Sequence, residues 1–165
     1  DKKLSDLTCA LRITGTWLKP VPVPETTVII TPDSKGCLTF GADDATLHGD
    51  QLKPEEKGGK TNIGFWDKTD EWVSWNAKIS RPGKYKVTAT IAAAADDAEF
   101  VVAAGAENLV AKIPATGGWD HFVTADLGTV EIKQAGNVVI TVRARDAASW
   151  RAINLRAIQM TPADQ

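Results

Sequence analysis

Along most of the chain, apolar and polar residues alternate with a period of two, in short runs separated by turn residues. The clearest run is EWVSWNAKI, where Val73, Trp75, Ala77 and Ile79 alternate with Trp72, Ser74, Asn76 and Lys78. Successive side chains of a strand point to opposite faces, so this pattern marks a strand with one face in a core. SRPGK then supplies a turn built on Pro82 and Gly83, residue types that suit reversals. It leads into YKVTATIA, where Tyr85, Val87, Ala89 and Ile91 alternate with Lys86, Thr88 and Thr90. CLTF, ATLHG, EFVVAA, NLVAKI, HFVTADL, TVEIK, NVVITVRA and AINLRAIQM read as further strands. PATGG, DLG and KQAGN punctuate them, and ATLHG runs into the polar DQLKPEEKGGK. The one helical alternative is AAAADDAE, which follows a strong strand signal. Many short strands at regular spacing predict an all-β, antiparallel sandwich or barrel. The alternation also disfavours a parallel sheet buried on both faces.

Residues 1–35 differ from this pattern. LTCALRITGTW has strand character, but LKPVPVPETT carries three prolines and suits an extended connection rather than a central strand. VIITP reads as a short strand and PDSKG as a turn. The expected organisation is an N-terminal arm or linker over 1–35, a sandwich over 36–162 and a tail over 163–165.

A chain of 165 residues fits one domain with a short appendage, large enough for a core without metals or many disulfides. Its 19 basic and 21 acidic residues give a net charge of −2 with no basic block, so nothing supports binding to nucleic acid or an anionic membrane. The longest soft stretch, TATIAAAA, is too short to cross a membrane and is closed by Asp96 and Asp97. The opening DKKLSD has no signal-peptide pattern and suits either a processed N-terminus or a piece of a longer protein. Cys9 and Cys37 are too few for a disulfide framework or a thiolate metal site. They form either one bridge or two buried thiols, and a bridge would fit an extracytoplasmic home.

Signatures of catalysis are missing. No nucleotide loop, zinc-protease helix, serine elbow or EF-hand loop occurs. His48 and His121 read as local hydrogen-bonding residues in a turn or strand. The doublets Asp43–Asp44, Asp70–Glu71 and Asp96–Asp97 are not general acid–base pairs by themselves, because neighbours in a strand point to opposite faces. Asp43, Asp44, Asp96 and Asp97 could offer oxygen ligands to calcium, but their spacing matches no specific loop. Solvated turn residues are the expected reading.

Aromatic residues carry more information. Six tryptophans stand against one tyrosine and one methionine. Trp75 belongs to the core by alternation, Trp72 to a second layer or adjoining loop, and Trp119 closes one end of the sandwich. Phe65 and Trp66 in GFWDKTD, and Trp150 in RDAASWRAIN, precede strands instead. A ring in a polar loop is a ligand platform candidate, because loops carry more than their share of binding residues.

TNIGFWDKTDEWVSWNAKISRPGKYKVTATIA resembles the central signature of family 6 and family 35 carbohydrate-binding modules: an aromatic-bearing loop, an acid–Trp–Val strand opening, then G-x-Y-x-V and a return strand. ATGGWDHF, KQAGNVVITV and INLRAIQM match later parts of that pattern, and GCLTFGADDATLHGD resembles the start of related galactose-binding-like domains. Such domains are appended to bacterial alpha-L-fucosidases, sulfatases and other secreted glycan-processing enzymes. The resemblance covers about residues 36–162. It implies a jelly-roll β-sandwich of about nine strands and a loop-end sugar site. Its parts would be one aromatic before the DEW strand, Phe65 or Trp66, a second near the last strand, Trp150, and an asparagine opening that strand, Asn154. Asn62, Asp67, Asp70 and Arg151 are the local groups that would answer sugar hydroxyls. The implied function is non-catalytic glycan binding, secreted, periplasmic or at the cell surface, beside a catalytic domain. The alternative is a structural or protein-docking sandwich without sugar binding. The resemblance also implies a structural calcium in many members, held partly by glutamates of the opening strand. CLTFGADDA lacks that pattern, leaving Asp43 or Asp44 to substitute. No cofactor is otherwise expected.

Overall fold

The structure, a computed structural model, describes residues 28–163. These residues form β1 (Ile29–Ile30), β2 (Leu38–Gly41), β3 (Thr46–His48), β4 (Lys53–Lys57), β5 (Lys60–Gly64) and β6 (Trp72–Ile79). They continue with β7 (Gly83–Ala92), β8 (Ala98–Ala104), β9 (Glu107–Ile113), β10 (Val123–Ile132), β11 (Gly136–Ala144) and β12 (Asn154–Pro162). One 3-10 turn, Ala42–Asp44, follows β2.

The strands make two sheets. The first runs β1-β6-β11-β8-β9, with β3 sharing the edge of β6 that β1 also uses. The second runs β10-β7-β12-β5-β4, with β2 beside β5 on one edge of β12. Pairing is antiparallel throughout except β1 on β6, where Ile29 and Ile30 lie beside Asn76 and Ala77. Of the sandwich or barrel expected from alternation, the sandwich that the resemblance implied is the one present. Twelve strands replace the nine implied by the resemblance, in part because one edge of β6 and one of β12 are each covered by two short segments.

The predicted inward faces form the core. Val73, Trp75, Ala77 and Ile79 of β6 pack with Tyr85, Val87, Ala89 and Ile91 of β7, and all are buried. Phe40 meets Trp75 with ring centroids 6.0 Å apart. The Trp75 indole N–H donates to the carbonyl of Gly41 at 2.8 Å, and the Tyr85 hydroxyl donates to the carbonyl of Arg81 at 2.7 Å. Large aromatic side chains are thus buried without leaving their polar handles unpaired.

Three segments differ from the sequence pattern, each for a local reason. DQLKPEEKGGK contains β4 and the turn of a hairpin with β5. As an edge strand, β4 has no fully buried residue, so it shows no alternation. Gly58 and Gly59 both take positive φ, +59° and +69°, as the tight two-residue hairpin turn requires. HFVTADL and TVEIK are not two strands joined by a turn at DLG. They are the single strand β10, with a bulge between Asp126 and Gly128. Gly128 has φ +116°, and its N–H donates to Asp126 Oδ1 at 3.0 Å. AAAADDAE forms no helix: β7 ends at Ala92, and Asp97 with φ +63° turns the chain into β8.

Cys37 is half-buried just before β2. Cys9, its partner if the two cysteines form a bridge, lies outside the described residues, as do LTCALRITGTW and the proline-rich LKPVPVPETT. Among the described residues, no helix is long and apolar enough to cross a membrane.

Candidate functional site

At one end of the second sheet, three loops meet around a cup of about 270 Å³. Glu55 and Lys57 of β4 form one side, Phe65, Trp66 and Asp67 another. Trp119 of the β9–β10 loop and Ala152, Ile153 and Asn154 at the start of β12 complete it.

The conformation of Phe65 decides what this loop presents. Its φ is +57°, a left-handed conformation uncommon for a bulky residue. The chain reverses there, leaving the Phe65 ring 49% exposed while Trp66 is 0% exposed. Lys53 Nζ lies 4.2 Å from the Phe65 ring centroid, within cation–π range. Trp119 is the other open ring, 43% exposed. It follows Gly117 and Gly118, whose φ values of +104° and +147° form a bend that favours glycine.

Behind these rings lies a buried lock. The Trp66 indole N–H donates to the carbonyl of Glu71 at 3.1 Å, and the Trp150 indole N–H donates to the carbonyl of Trp66 at 3.2 Å. The two rings pack with centroids 5.3 Å apart, and Trp150 is only 6% exposed. The loops over 65–71 and 145–153 are thereby fastened to each other.

Glu71 fastens a third segment. Its buried carboxylate accepts the amide N–H groups of Asp50 at 2.8 Å, Gln51 at 2.7 Å and Leu52 at 2.9 Å. Burial alone would raise its pKa. The amides of Gln51, Leu52 and Asp50, with Lys68 nearby, outweigh that and hold it below the ordinary value of 4.5. Gly49 is required beside it, because a Cβ there would lie 2.4 Å from the Glu71 side chain.

The polar floor is equally constrained. Asn154 donates from Nδ2 to the carbonyl of Trp119 at 2.6 Å. Glu55 Oε1 accepts from Asn62 Nδ2 at 3.0 Å and lies 3.6 Å from Lys57 Nζ. Gly64 makes room for one acid and one amide: a Cβ there would sit 2.6 Å from Glu55 Oε1 and 2.8 Å from Asn154 Oδ1.

Of the residues singled out by sequence, Phe65, Trp66, Asp67 and Asn154 line this cup. Trp150 is buried behind it, and Asn62 is buried beside Glu55. Asp67 accepts from Gln51 Nε2 at 3.2 Å. Arg151 folds back on its own loop, donating to the carbonyls of Ala148 at 3.0 Å and Trp150 at 2.7 Å. Asp70 lies outside the cup and is exposed. Trp119 as an open ring, and Glu55 and Lys57 as floor, were not singled out. The Gly117–Gly118 pair before Trp119 was the available signal, whereas β4 carried no pattern that could aim Glu55.

The other marked residues lie elsewhere. His48 stacks on Trp72 with centroids 3.5 Å apart and bonds Ser74 Oγ through Nε2 at 2.8 Å, on the outer face of the first sheet. His121 is exposed in the β9–β10 loop. Asp43 and Asp44 are exposed in the 3-10 turn. Asp96 accepts from the Ala115 amide at 2.8 Å, and Asp97 pairs with Lys112 at 3.0 Å. Among the described residues, no three His, Cys, Asp or Glu side chains group as a metal cage.

Residues 48–148 match the family model described as carbohydrate binding module (family 35). No curated protein sequence matches the chain significantly. Solved structures do. A family 35 carbohydrate-binding module from Clostridium thermocellum aligns with TM-score 0.63 and 20% identity, covering 74% of this chain and 97% of that one. A family 6 module of a lichenase from Cellvibrio mixtus, in complex with cellotriose, aligns with TM-score 0.61 and 26% identity, over 76% and 96%. A Podospora anserina beta-(1,4)-mannanase carrying a family 35 module aligns with TM-score 0.63 and 20% identity. It is matched over 79% of this chain but only 28% of its own.

Proposed function

Because the chain belongs to the family 35 carbohydrate-binding modules, we propose that it binds a glycan, without catalysis, in the cup lined by Phe65 and Trp119. The observation that carries this reading is the pair of exposed rings bordering one cup whose floor is polar. A pyranose has an apolar face of C–H groups and a rim of hydroxyls. A flat ring covers the C–H face and excludes water from it. Glu55, Asn154 and Asp67 answer the hydroxyls at the edge. Trp66 and Trp150 hold the rings in place from below rather than touching sugar.

A shallow cup of this kind binds weakly. Millimolar affinity corresponds to about −4 kcal/mol, which two rings and a few hydrogen bonds supply. Attachment to an enzyme that acts on the same polymer raises effective binding through local concentration. The family 35 module carried by the Podospora anserina mannanase supports that arrangement. We therefore place the module beside a glycan-processing catalytic domain, outside the cytoplasm, where such polymers are met. The chemistry needs no metal, so chelator should leave melting temperature and affinity unchanged; a cation bound only to the folded state would raise melting.

The test is a glycan array at high loading, followed by calorimetry on the best hit with Phe65→Ala and Trp119→Ala. Both variants should melt near the wild type and lose binding. Full affinity in both would remove the cup from consideration, and the absence of any hit would remove the sugar.

A further inference from the structure

We propose that this cup selects a neutral sugar over its acidic counterpart, and that Glu55 sets the preference; the inference rests on the sugar-binding reading above. The argument turns on which way two amides face. Asn154 places Nδ2 2.6 Å from the carbonyl oxygen of Trp119. A carbonyl only accepts, so the amide nitrogen is committed there and Oδ1 is the end left toward Gly64. Asn62 likewise commits Nδ2 to Glu55 Oε1 at 3.0 Å. Each amide therefore commits one N–H inside the protein, which fixes the side on which its oxygen lies.

What converges over the bare Cα of Gly64 is a pair of acceptors. Glu55 Oε1 and Asn154 Oδ1 lie 2.6 Å and 2.8 Å from the point where a Cβ would stand. Charge points the same way. The cup's lining contains two carboxylates, Glu55 and Asp67, and one ammonium, Lys57, which is paired with Glu55 at 3.6 Å. The other nearby ammonium, Lys53, lies over the Phe65 ring.

An acceptor floor of net negative charge needs a ligand that brings donors. Sugar hydroxyls do so. A uronate carboxylate or sulfate ester brings only acceptors and a like charge, so it would face oxygens it cannot satisfy. Gln at 55 would remove the charge while its oxygen still accepts the Asn62 N–H.

The experiment uses the whole chain and pairs of methyl glycosides that differ only at C6, the hydroxymethyl sugar against its uronic acid, in the gluco, galacto and manno series. Affinity is read by NMR titration of the Trp119 indole N–H with ligand-observed saturation transfer, which detects millimolar binding. For the series that binds, the neutral member should bind about tenfold tighter than the acid. Glu55→Gln should bring that ratio to about twofold. Gly64→Ala, which displaces both acceptors without altering charge, should weaken the neutral sugar. An acid that binds as tightly as its neutral partner, in wild type, overturns the inference and leaves the sugar-binding reading standing. An unchanged ratio in Glu55→Gln overturns the role of Glu55. If no member of any pair binds, the inference falls together with the reading beneath it.

Discussion

Phe65 and Trp66 are neighbours in sequence and do opposite things, as do the more distant Trp119 and Trp150. Trp66 and Trp150 are buried, and each indole N–H ends on a backbone carbonyl of another part of the loop system. Phe65 and Trp119 stand open, and neither ring is used to fasten a loop. The difference lies in the polar edge. An indole whose N–H meets a carbonyl inside the protein acts as a staple. A ring whose face is left to solvent has nothing to do for the fold and is free for a ligand. Residue type alone would have chosen the tryptophans.

The sharpest way to break this comparison is to truncate one ring of each kind. Trp66→Ala removes a fully buried side chain and opens a cavity where three loops join. It should lower stability by about 3–5 kcal/mol. Phe65→Ala removes an exposed ring and should stay within about 0.5 kcal/mol of wild type. Denaturant unfolding of the two variants measures both. A Phe65→Ala loss comparable to that of Trp66→Ala would show that the exposed ring is structural as well.

Glu71→Gln comes next. It leaves one neutral oxygen where two carboxylate oxygens accepted three amides, turns an NH2 group toward at least one of them, and should lower stability by about 2–3 kcal/mol. The pH dependence carries a definite sign. The folded-state pKa lies below the ordinary 4.5, so the unfolded chain binds the proton more readily. The stabilisation is complete above that ordinary value and is lost as pH falls through the folded value. Unfolding measured from neutral to acid pH should show a steeper fall for the wild type than for Glu71→Gln. Parallel curves would mean that another carboxylate governs acid stability.

The fold was legible where burial imposes alternation, as along β6 and β7, and illegible where it does not. β4 is an edge strand of charged residues with Pro54 in it, so no period marks it, and Glu55 could not be aimed at anything. DLG reads as a turn because glycine serves turns and bulges alike, and only the pairing with β7 distinguishes them. The resemblance led to the loops 65–71 and 145–153, which meet at the cup, and to Asn154, which lines it. It could not say which of Phe65 and Trp66 stands open, because that depends on a single left-handed residue. Nor could it separate the late rings, since the Trp150 indole is used up by a carbonyl more than eighty residues away in sequence.

Binding separates the two pairs from the other side. Phe65→Ala and Trp119→Ala should each weaken a bound glycan about tenfold, close to 1.4 kcal/mol. Melting should remain near wild type. Calorimetry on the array hit, with melting curves recorded on the same samples, gives both numbers. Loss of binding in only one variant would reduce the platform to a single ring.

The smallest change tests whether the staple depends on its hydrogen bond or only on its bulk. Trp150→Phe keeps an aromatic ring against Trp66 but deletes the N–H that reaches the Trp66 carbonyl at 3.2 Å. One orphaned acceptor should lower stability by about 1 kcal/mol, beyond the area lost with the smaller ring. A comparison with Trp150→Leu, which lacks both the N–H and the aromatic ring, separates these contributions. If the hydrogen bond positions the loop, Trp150→Phe should also weaken glycan binding slightly, because the Trp66 carbonyl it fastens is one residue from Phe65. If binding is unchanged while stability falls, Trp150 holds the fold alone, and the platform at Phe65 is set by Glu71 and the backbone reversal.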